Sequence, residues 1–495
     1  MTKNIGIIGS GFWWLSAAII LAKQWHQITV FEKNEQLGGR ASVREQDGFR
    51  FDMGPSRYLM PDAFQMFFDT IGEKVEDYLD LHKLSPSYRV IFSHNDTSKK
   101  TQTLDIYDDI EKNRPYFEQL EPGSTDKLHE YCAKAEYQYK IAMKDFVPKN
   151  YDSILDFLNR RMATEWAKLH VFSNMKKYAA RYFKSPEMQK IVQYPLVFLG
   201  TAPQDAPALY NIMTYVDFGM GVRYPQWGIY EIIKALVTIA TKHGVVFHTN
   251  TEVQHIPVQD GKAQGVQLMD GTSYSFDAVI SNADMQWSET KLLDTQRQTY
   301  PEKYWTDKVM APSGFILYLG IKGKVKNLQH HTLIFAEDWD KNFGQIFKSK
   351  IPPTDPSLYI CCPSKTDPTV ADAADENIFV LVPFPPGITL TDGETQKYRD
   401  KVLQLIEKEI GEQFQDRIVV ERIFQNKDFS ERYHAFQGTA LWLAHTIRQT
   451  AIFRPNNISK KVDNLYYVWW YTNPGIGMPM CLISGILVAE RFQKN

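Results

Sequence analysis

Gly9, Gly11 and Glu32 are spaced so that a strand, a glycine turn, a helix and a second strand would gather them around one anion. The run Asn4–Ile8 reads as a short buried strand, Gly9-Ser10-Gly11 as a tight turn, and Phe12 to about Gln24 as a helix. A second strand, Ile28–Phe31, ends on Glu32. In such a unit the first glycine makes the turn and the second lets backbone approach a diphosphate. The helix N-terminus offers unpaired N–H groups and the positive end of its dipole. A carboxylate at Glu32 can accept from a ribose diol, which favours an adenosine without a 2′-phosphate. A lone GxG is also compatible with an ordinary turn, so further segments must support the reading.

Three do. Leu37-Gly38-Gly39-Arg40 follows Glu32 closely; its glycines permit close backbone approach and Arg40 supplies a guanidinium for a phosphate or a flavin. Val253 lies in a predicted strand, and Asp277–Asp284 forms another strand and turn. Asn473-Pro474-Gly475-Ile476-Gly477-Met478-Pro479-Met480 is a glycine-proline turn that opens the last helix. A helix N-terminus there would stabilise charge on the pyrimidine end of a flavin during reduction. One feature opposes the pattern. The third small residue of G-x-G-x-x-G belongs at position 14, where helix meets strand, and the chain has Trp13 and Trp14. Even modest overpacking of such a contact costs roughly 1–3 kcal/mol.

The elements that must hold these residues are spread over 495 residues, which predicts two or three domains. A net charge of −2 argues against a nucleic-acid binder. Cys132, Cys361, Cys362 and Cys481 have no metal-ligand spacing and fit a reducing, cytoplasmic compartment. His330-His331 has no further ligand nearby in sequence, so no metal is expected. No signal peptide is visible. The charge-poor stretch Asn464–Ala489 is broken by Pro474, Pro479 and glycines, and reads as strand, turn and buried helix rather than a membrane span.

The expected fold is α/β: a Rossmann-like dinucleotide-binding domain with a second domain of mixed sheet and helices. The first domain comprises 1–110 with 210–290 and 440–495, the second 111–209 with 291–439. Within them, Arg114–Phe198 reads as helical, and Ile229–His243 as an amphipathic helix. Ser313–Ile321, Ser357–Cys362 and Ile378–Val382 read as strands, and Thr395–Glu409 as a helix. Around Arg160, Arg161, Lys168, Lys176, Lys177, Arg181 and Lys184, basic residues alternate with Tyr178, Tyr182 and Phe183 before the apolar run Ile191–Gly200. That composition suits either peripheral docking on an anionic membrane or a solvated helix face over a core.

Taken together, Ile7–Leu15, Val30–Ala41, Phe49–Pro55, Tyr224–Tyr230, Asp277–Asp284, Pro356–Asp367 and Asn464–Ser484 resemble the phytoene desaturase family, the bacterial carotenoid desaturases among the amine-oxidase-like flavoproteins. The resemblance implies one non-covalent FAD. It places Gly9, Gly11 and Glu32 at the ADP end, Gly39 and Arg40 across the diphosphate and flavin, and Val253 at the adenine. It places Gly477 and Met478 beneath the pyrimidine and Pro55 near the isoalloxazine. It also implies a long apolar isoprenoid or carotenoid substrate, a quinone or oxygen as electron acceptor, and a chain docked peripherally at a membrane. Phytoene-type desaturation and a 3,4-desaturation of γ-carotene or a hydroxycarotenoid both stay open. No catalytic base is named; Asp145 and Asp152 fit a solvated surface better. An amine oxidase, a redox-neutral carotenoid isomerase and a flavin-free carotenoid binder are the alternatives.

The chain departs from that family in a patterned way. Trp13, Trp14, Trp25, Trp227, Trp442, Trp469 and Trp470 stand where the family carries glycine or another small residue. Arg57 and Arg223 stand where it often carries an aromatic. Departures confined so largely to one residue type point to an altered chain rather than to scattered divergence, with a cofactor-free relative as the alternative.

Overall fold

The structure, a computed structural model, describes residues 2–94, 102–151, 173–450, 453–468, 471–472 and 474–494. Trp469, Trp470, Asn473, Asp152, Arg160, Arg161 and Lys168 lie outside the described residues.

The opening unit folds as its pattern dictates. Strand β1 (Asn4–Ile8) is followed by helix α1 (Phe12–Lys23) and strand β2 (Gln27–Phe31). These strands sit in a five-stranded parallel sheet whose order is Leu465–Tyr467, Ala278–Ser281, β1, β2, Val246–His248. Strands from the beginning, middle and end of the chain thus lie in one sheet, because a parallel strand needs a crossover and the chain leaves and returns twice. Both faces are covered, so β1 is a near-continuous apolar run, buried from Ile5 onward. Helix α1 packs on the last helix, Met478–Lys494, so closely that a Cβ on Gly485 would lie 1.6 Å from Ser16 Oγ. Ser16 Oγ donates to the carbonyl of Leu482 across that contact, at 3.1 Å.

A second, seven-stranded sheet runs in the order Ile418–Phe424, Ser313–Ile321, Glu376–Phe384, Leu358–Cys361, His331–Phe335, Tyr88–Phe92, Gln102–Ile106. Only His331–Phe335 and Tyr88–Phe92 pair in parallel. The last two strands fall before residue 110, yet they hydrogen-bond here and not in the nucleotide-binding sheet. Apolar strands read alike in either sheet; only pairing decides. Alternation along Ser313–Ile321 sends Phe315, Leu317 and Leu319 against helix Asp392–Ile410. Ile316 and Tyr318 point the other way, into a core shared with the helical insert through Phe117, Tyr131 and Tyr178.

Candidate functional site

The turn after β1 brings Gly9 within hydrogen-bonding distance of the end of β2: its N–H donates to the Phe31 carbonyl at 2.8 Å. Gly38 N–H donates to the Ser10 carbonyl at 2.8 Å, which folds the Gly38–Arg40 segment back over the turn. The two stretches touch where side chains would be: a Cβ on Gly39 (φ +57°) would sit 3.0 Å from Gly11 Cα, and one on Gly11 would sit 2.9 Å from the Asn282 amide. With its amide oriented to suit both neighbours, Asn282 accepts from Gly11 N–H at 3.0 Å and donates to the Val468 carbonyl at 2.9 Å.

Glu32 is buried at the floor. One carboxylate oxygen accepts from Ser10 N–H and Oγ at 2.7 and 2.5 Å, the other from Asn34 N–H and Nδ2 at 2.8 and 2.7 Å. These residues line a cleft with roughly 880 Å³ of empty space, which also reaches Arg40, Pro55, Val253 and Met478. Eight of the nine expected cofactor-site residues therefore share one cleft. The ninth, Gly477, lines the adjoining cavity.

Arg40 is the cleft's one deeply buried cation among the described residues, and burial pulls it down to about 10. Its Nη2 donates to the Thr439 carbonyl at 3.0 Å, and its Nε has no hydrogen-bond partner among the described residues. No carboxylate lies within ion-pair distance of it there. A buried guanidinium with an orphaned N–H is strongly unfavourable without an anion, so this donor set fits a diphosphate. Its plane lies 3.5 Å from the Trp442 ring. Trp13 and Trp442 both line the cleft.

The second cavity holds roughly 1410 Å³ of empty space. Its walls are mainly apolar, among them Leu59, Val197, Ile316, Leu381, Leu441 and Ile476. Among the described residues its lining includes two arginines, Arg40 and Arg57, and no carboxylate or imidazole. Arg57 is buried among the rings of Tyr88, Tyr194 and Tyr359, 5.1 to 5.7 Å from their centres, and donates to Tyr194 Oη at 3.1 Å. Behind it Asp217 accepts from Tyr88 and Tyr194 hydroxyls at 2.6 and 2.9 Å, and burial raises it to about 6. Arg40, Pro55 and Met478 line both spaces, so cleft and cavity meet over them.

Several contributors escape a sequence reading. Asn282 and Ala283 lie in the Asp277–Asp284 strand and turn, but their types assign neither of them a role. Trp287 stacks on His434 at 3.8 Å, and His434 contacts Glu252 at 2.7 Å, closing the Val253 end of the cleft from a distant segment. His330 and His331 do have a neighbour of ligand type: antiparallel pairing sets Cys361 opposite His331, and the three ligand atoms lie within 4.8 Å. Burial keeps both imidazoles neutral, and Arg57 adds to that effect. Their Nδ1 atoms already bond Thr366 and Tyr359, at 2.6 and 2.8 Å. In the basic segment, Tyr178, Phe183, Ile191 and Val192 are core residues, and Lys176 pairs with Asp340. Asp145 lies outside the cavity lining.

The profile of the flavin-containing amine oxidoreductases matches residues 15–492. A carotenoid 3,4-desaturase from Haloarcula japonica is 44% identical over 496 residues, covering 100% of this chain and 98% of that protein. A zeta-carotene-forming phytoene desaturase from Myxococcus xanthus is 32% identical, over 99% of this chain and 94% of its own length. Among solved structures, a double mutant of a putrescine oxidase superposes with a TM-score of 0.65 at 11% identity, covering 100% of both chains. An oxidoreductase from Methanosarcina mazei gives 0.60 at 16% identity, over 98% of this chain and 100% of its own.

Proposed function

The chain belongs to the flavin-containing amine oxidoreductase family, and from that premise we propose that it is an FAD-dependent carotenoid desaturase. The observation that carries the reading is the shared wall of Arg40, Pro55 and Met478. A dinucleotide laid along the cleft would have its ring system at that wall, facing a mainly apolar cavity of the kind that takes an apolar ligand.

Bound FAD supplies a two-electron acceptor that can take a hydride from an allylic carbon. The chain's own residues do the rest. Gly9, Gly11 and Gly39 admit the diphosphate to backbone contact and Arg40 neutralises it. A ribose diol reaches Glu32 by replacing the side-chain donors Ser10 Oγ and Asn34 Nδ2. Val253 flanks the adenine, and Gly477 and Met478 open the last helix beneath the pyrimidine. The apolar walls hold the polyene and exclude water. Residues 1–110 with 210–290 and 440–495 carry the cofactor, except that strands 88–106 go with the substrate part, 111–209 and 291–439.

The finer reading is introduction of a 3,4 double bond, favoured by 44% identity to a 3,4-desaturase against 32% to a phytoene desaturase. The reconstituted protein should bleach its flavin anaerobically on addition of a γ-carotene-type substrate and release a product with one more conjugated double bond. Turnover without bleaching would establish a redox-neutral isomerase instead. A protonated amine suits the cavity poorly, because its lining offers two cations and no carboxylate. A quinone or oxygen would be the acceptor for the two electrons taken from the substrate.

The polyene dissolves in membrane, so we propose peripheral docking. No helix among the described residues is long and apolar enough to cross a bilayer. Met60 and Met480 line the cavity and, with Met66 and Met143, are partly buried against Ala63, Ile483 and Leu487, a group of flexible, apolar side chains suited to an apolar ligand. Flotation with anionic liposomes should carry the protein upward; full recovery in the soluble fraction would defeat docking.

A further inference from the structure

Five of the seven displaced tryptophans lie among the described residues, and the backbone of three of them behaves as glycine backbone does. Trp25, Trp227 and Trp442 have φ of 70°, 68° and 60°. A bulky side chain is a genuine outlier in that left-handed region, which glycine enters freely. The other non-glycine residues found there are mostly Asn, Asp or His, which tolerate it.

Two of the three, Trp25 and Trp227, sit where a local motif favours glycine. Trp25 follows the C-cap of α1: its N–H donates to the Ala22 carbonyl at 2.9 Å, and His26 N–H donates to the Leu21 carbonyl at 3.1 Å. That is the Schellman closure, whose C′ position is normally glycine. Helix Tyr230–Lys242 ends on the same two bonds, Gly244 to Thr241 at 2.9 Å and Val245 to Ala240 at 3.1 Å, and there the residue is Gly244 with φ 82°. Trp227 is the third residue of a turn closed by Gly228 N–H on the Pro225 carbonyl at 3.0 Å, the position that needs positive φ. Trp25 and Trp227 leave their indoles largely in solvent, 83% and 51% exposed, so no packing compensates the strain. Trp442 puts its ring in the nucleotide cleft under Arg40.

Trp13 and Trp14 complete the set. Trp13 lines the cleft in the first turn of α1. Trp14 takes the third glycine position of the fingerprint, fully buried, with an indole N–H that has no hydrogen-bond partner among the described residues. Trp287, Trp305 and Trp339 contrast with Trp25, Trp227 and Trp442. They lie in helices with ordinary φ, and their rings are used: Trp287 stacks on His434, Trp305 donates to the Tyr300 carbonyl at 2.9 Å, and Trp339 meets Phe335 edge-on.

Tryptophan has one standard codon, UGG, so two kinds of tryptophan position imply a second codon. UGA differs from UGG in its third base and from the glycine codon GGA in its first. We propose that positions 13, 14, 25, 227 and 442 are specified by UGA and decoded as glycine in the cell that makes this protein, whereas Trp287, Trp305 and Trp339 are specified by UGG. Glycine at 13 and 442 removes two indoles from the cleft, so the inference deepens the flavin reading, on which its structural argument does not depend.

Tandem mass spectrometry of peptides from the protein purified from its native producer tests this directly. Glycine is expected at all five positions, and tryptophan at Trp287, Trp305 and Trp339. Tryptophan at any of the five overturns the proposal, as does a UGG codon at any of them in the gene. The readouts separate the two readings. Glycine in the peptides with no flavin in the native protein would sink the flavin reading alone; tryptophan in the peptides with flavin bound would sink this one alone.

Discussion

The nucleotide cleft and the substrate cavity share a wall and are built on opposite principles. The cleft is made by backbone: Gly9, Gly11, Gly38 and Gly39 bring main chain within van der Waals contact of main chain, and a Cβ at Gly11 or Gly39 would meet a neighbour at 2.9 to 3.0 Å. The cavity is made by side chains from separated segments, each a single apolar residue with room beside it. A backbone site is specified by a few residues and has no slack. A side-chain site is specified by none in particular and can be reshaped.

The largest expected effect tests the absence of slack. Gly11→Val should reduce bound flavin at least a hundredfold, about 3 kcal/mol at 1.4 kcal/mol per decade, because its branched side chain must displace the Asn282 amide and enter the space the diphosphate needs beside the turn. Flavin absorbance per chain, with circular dichroism to verify folding, reads the result. Near-normal loading would show that the cleft is as pliable as the cavity.

This difference explains what the sequence could disclose. The β1-α1-β2 unit and Glu32 were legible because turn, dipole and carboxylate are local to about thirty residues, and the observed bounds of both strands and α1 fall within a residue of those expected. Val253 and Met478 emerged only through resemblance, since nothing in their own types marks a nucleotide site. Asn282 fell within the Asp277–Asp284 segment but no role could be read for it, and His434 could not be found at all; both act by arriving from other parts of the fold. The cavity was invisible for the same reason. Ile316 and Leu381 read as core residues in strands, and it is the empty space beside them that makes them a site. The 88–106 strands pair in the seven-stranded sheet, and such distant pairing partners leave no local trace in the sequence.

A pH series probes a buried charge behind the cavity. Asp217 is raised from 3.8 to about 6, first by burial, against the opposing hydrogen bonds from its tyrosines and the charge of Arg57. The folded protein keeps this proton to higher pH than the unfolded chain does. The associated stability is fully present below 3.8 and is lost as pH rises through about 6. Asp217→Asn should flatten that fall by about 2 kcal/mol between pH ~4 and ~7, measured by urea denaturation at both ends. An unchanged slope would mean that the group is solvated in the folded state. Asp284, raised to about 6 beneath Arg40, should show the same fall in the cleft.

Filling the cavity gives a smaller and more selective effect. Ile316→Trp places a ring in the open space opposite Leu381. Turnover of a C40 polyene should fall about tenfold, equivalent to ~1.4 kcal/mol, with flavin loading retained. Loss of flavin together with turnover would mean that the shared wall couples the two sites more tightly than their construction implies.

The smallest effect isolates backbone strain from obstruction of the cleft. Trp25 lies at the far end of α1 from the glycine turn, so its replacement cannot open the nucleotide site. Trp25→Gly should stabilise the chain by about 1 kcal/mol, the cost of holding a non-glycine residue in the left-handed region, and leave flavin loading unchanged. Gly244→Ala, at the matching helix end, should destabilise by a similar ~1 kcal/mol. Trp442→Gly should do both things, relieving strain and raising flavin loading, because its ring stands in the cleft under Arg40. If Trp25→Gly and Trp442→Gly raised flavin loading equally, the gain would come from general stability. The cleft would then owe its specificity to the fold as a whole rather than to the few places where main chain meets main chain.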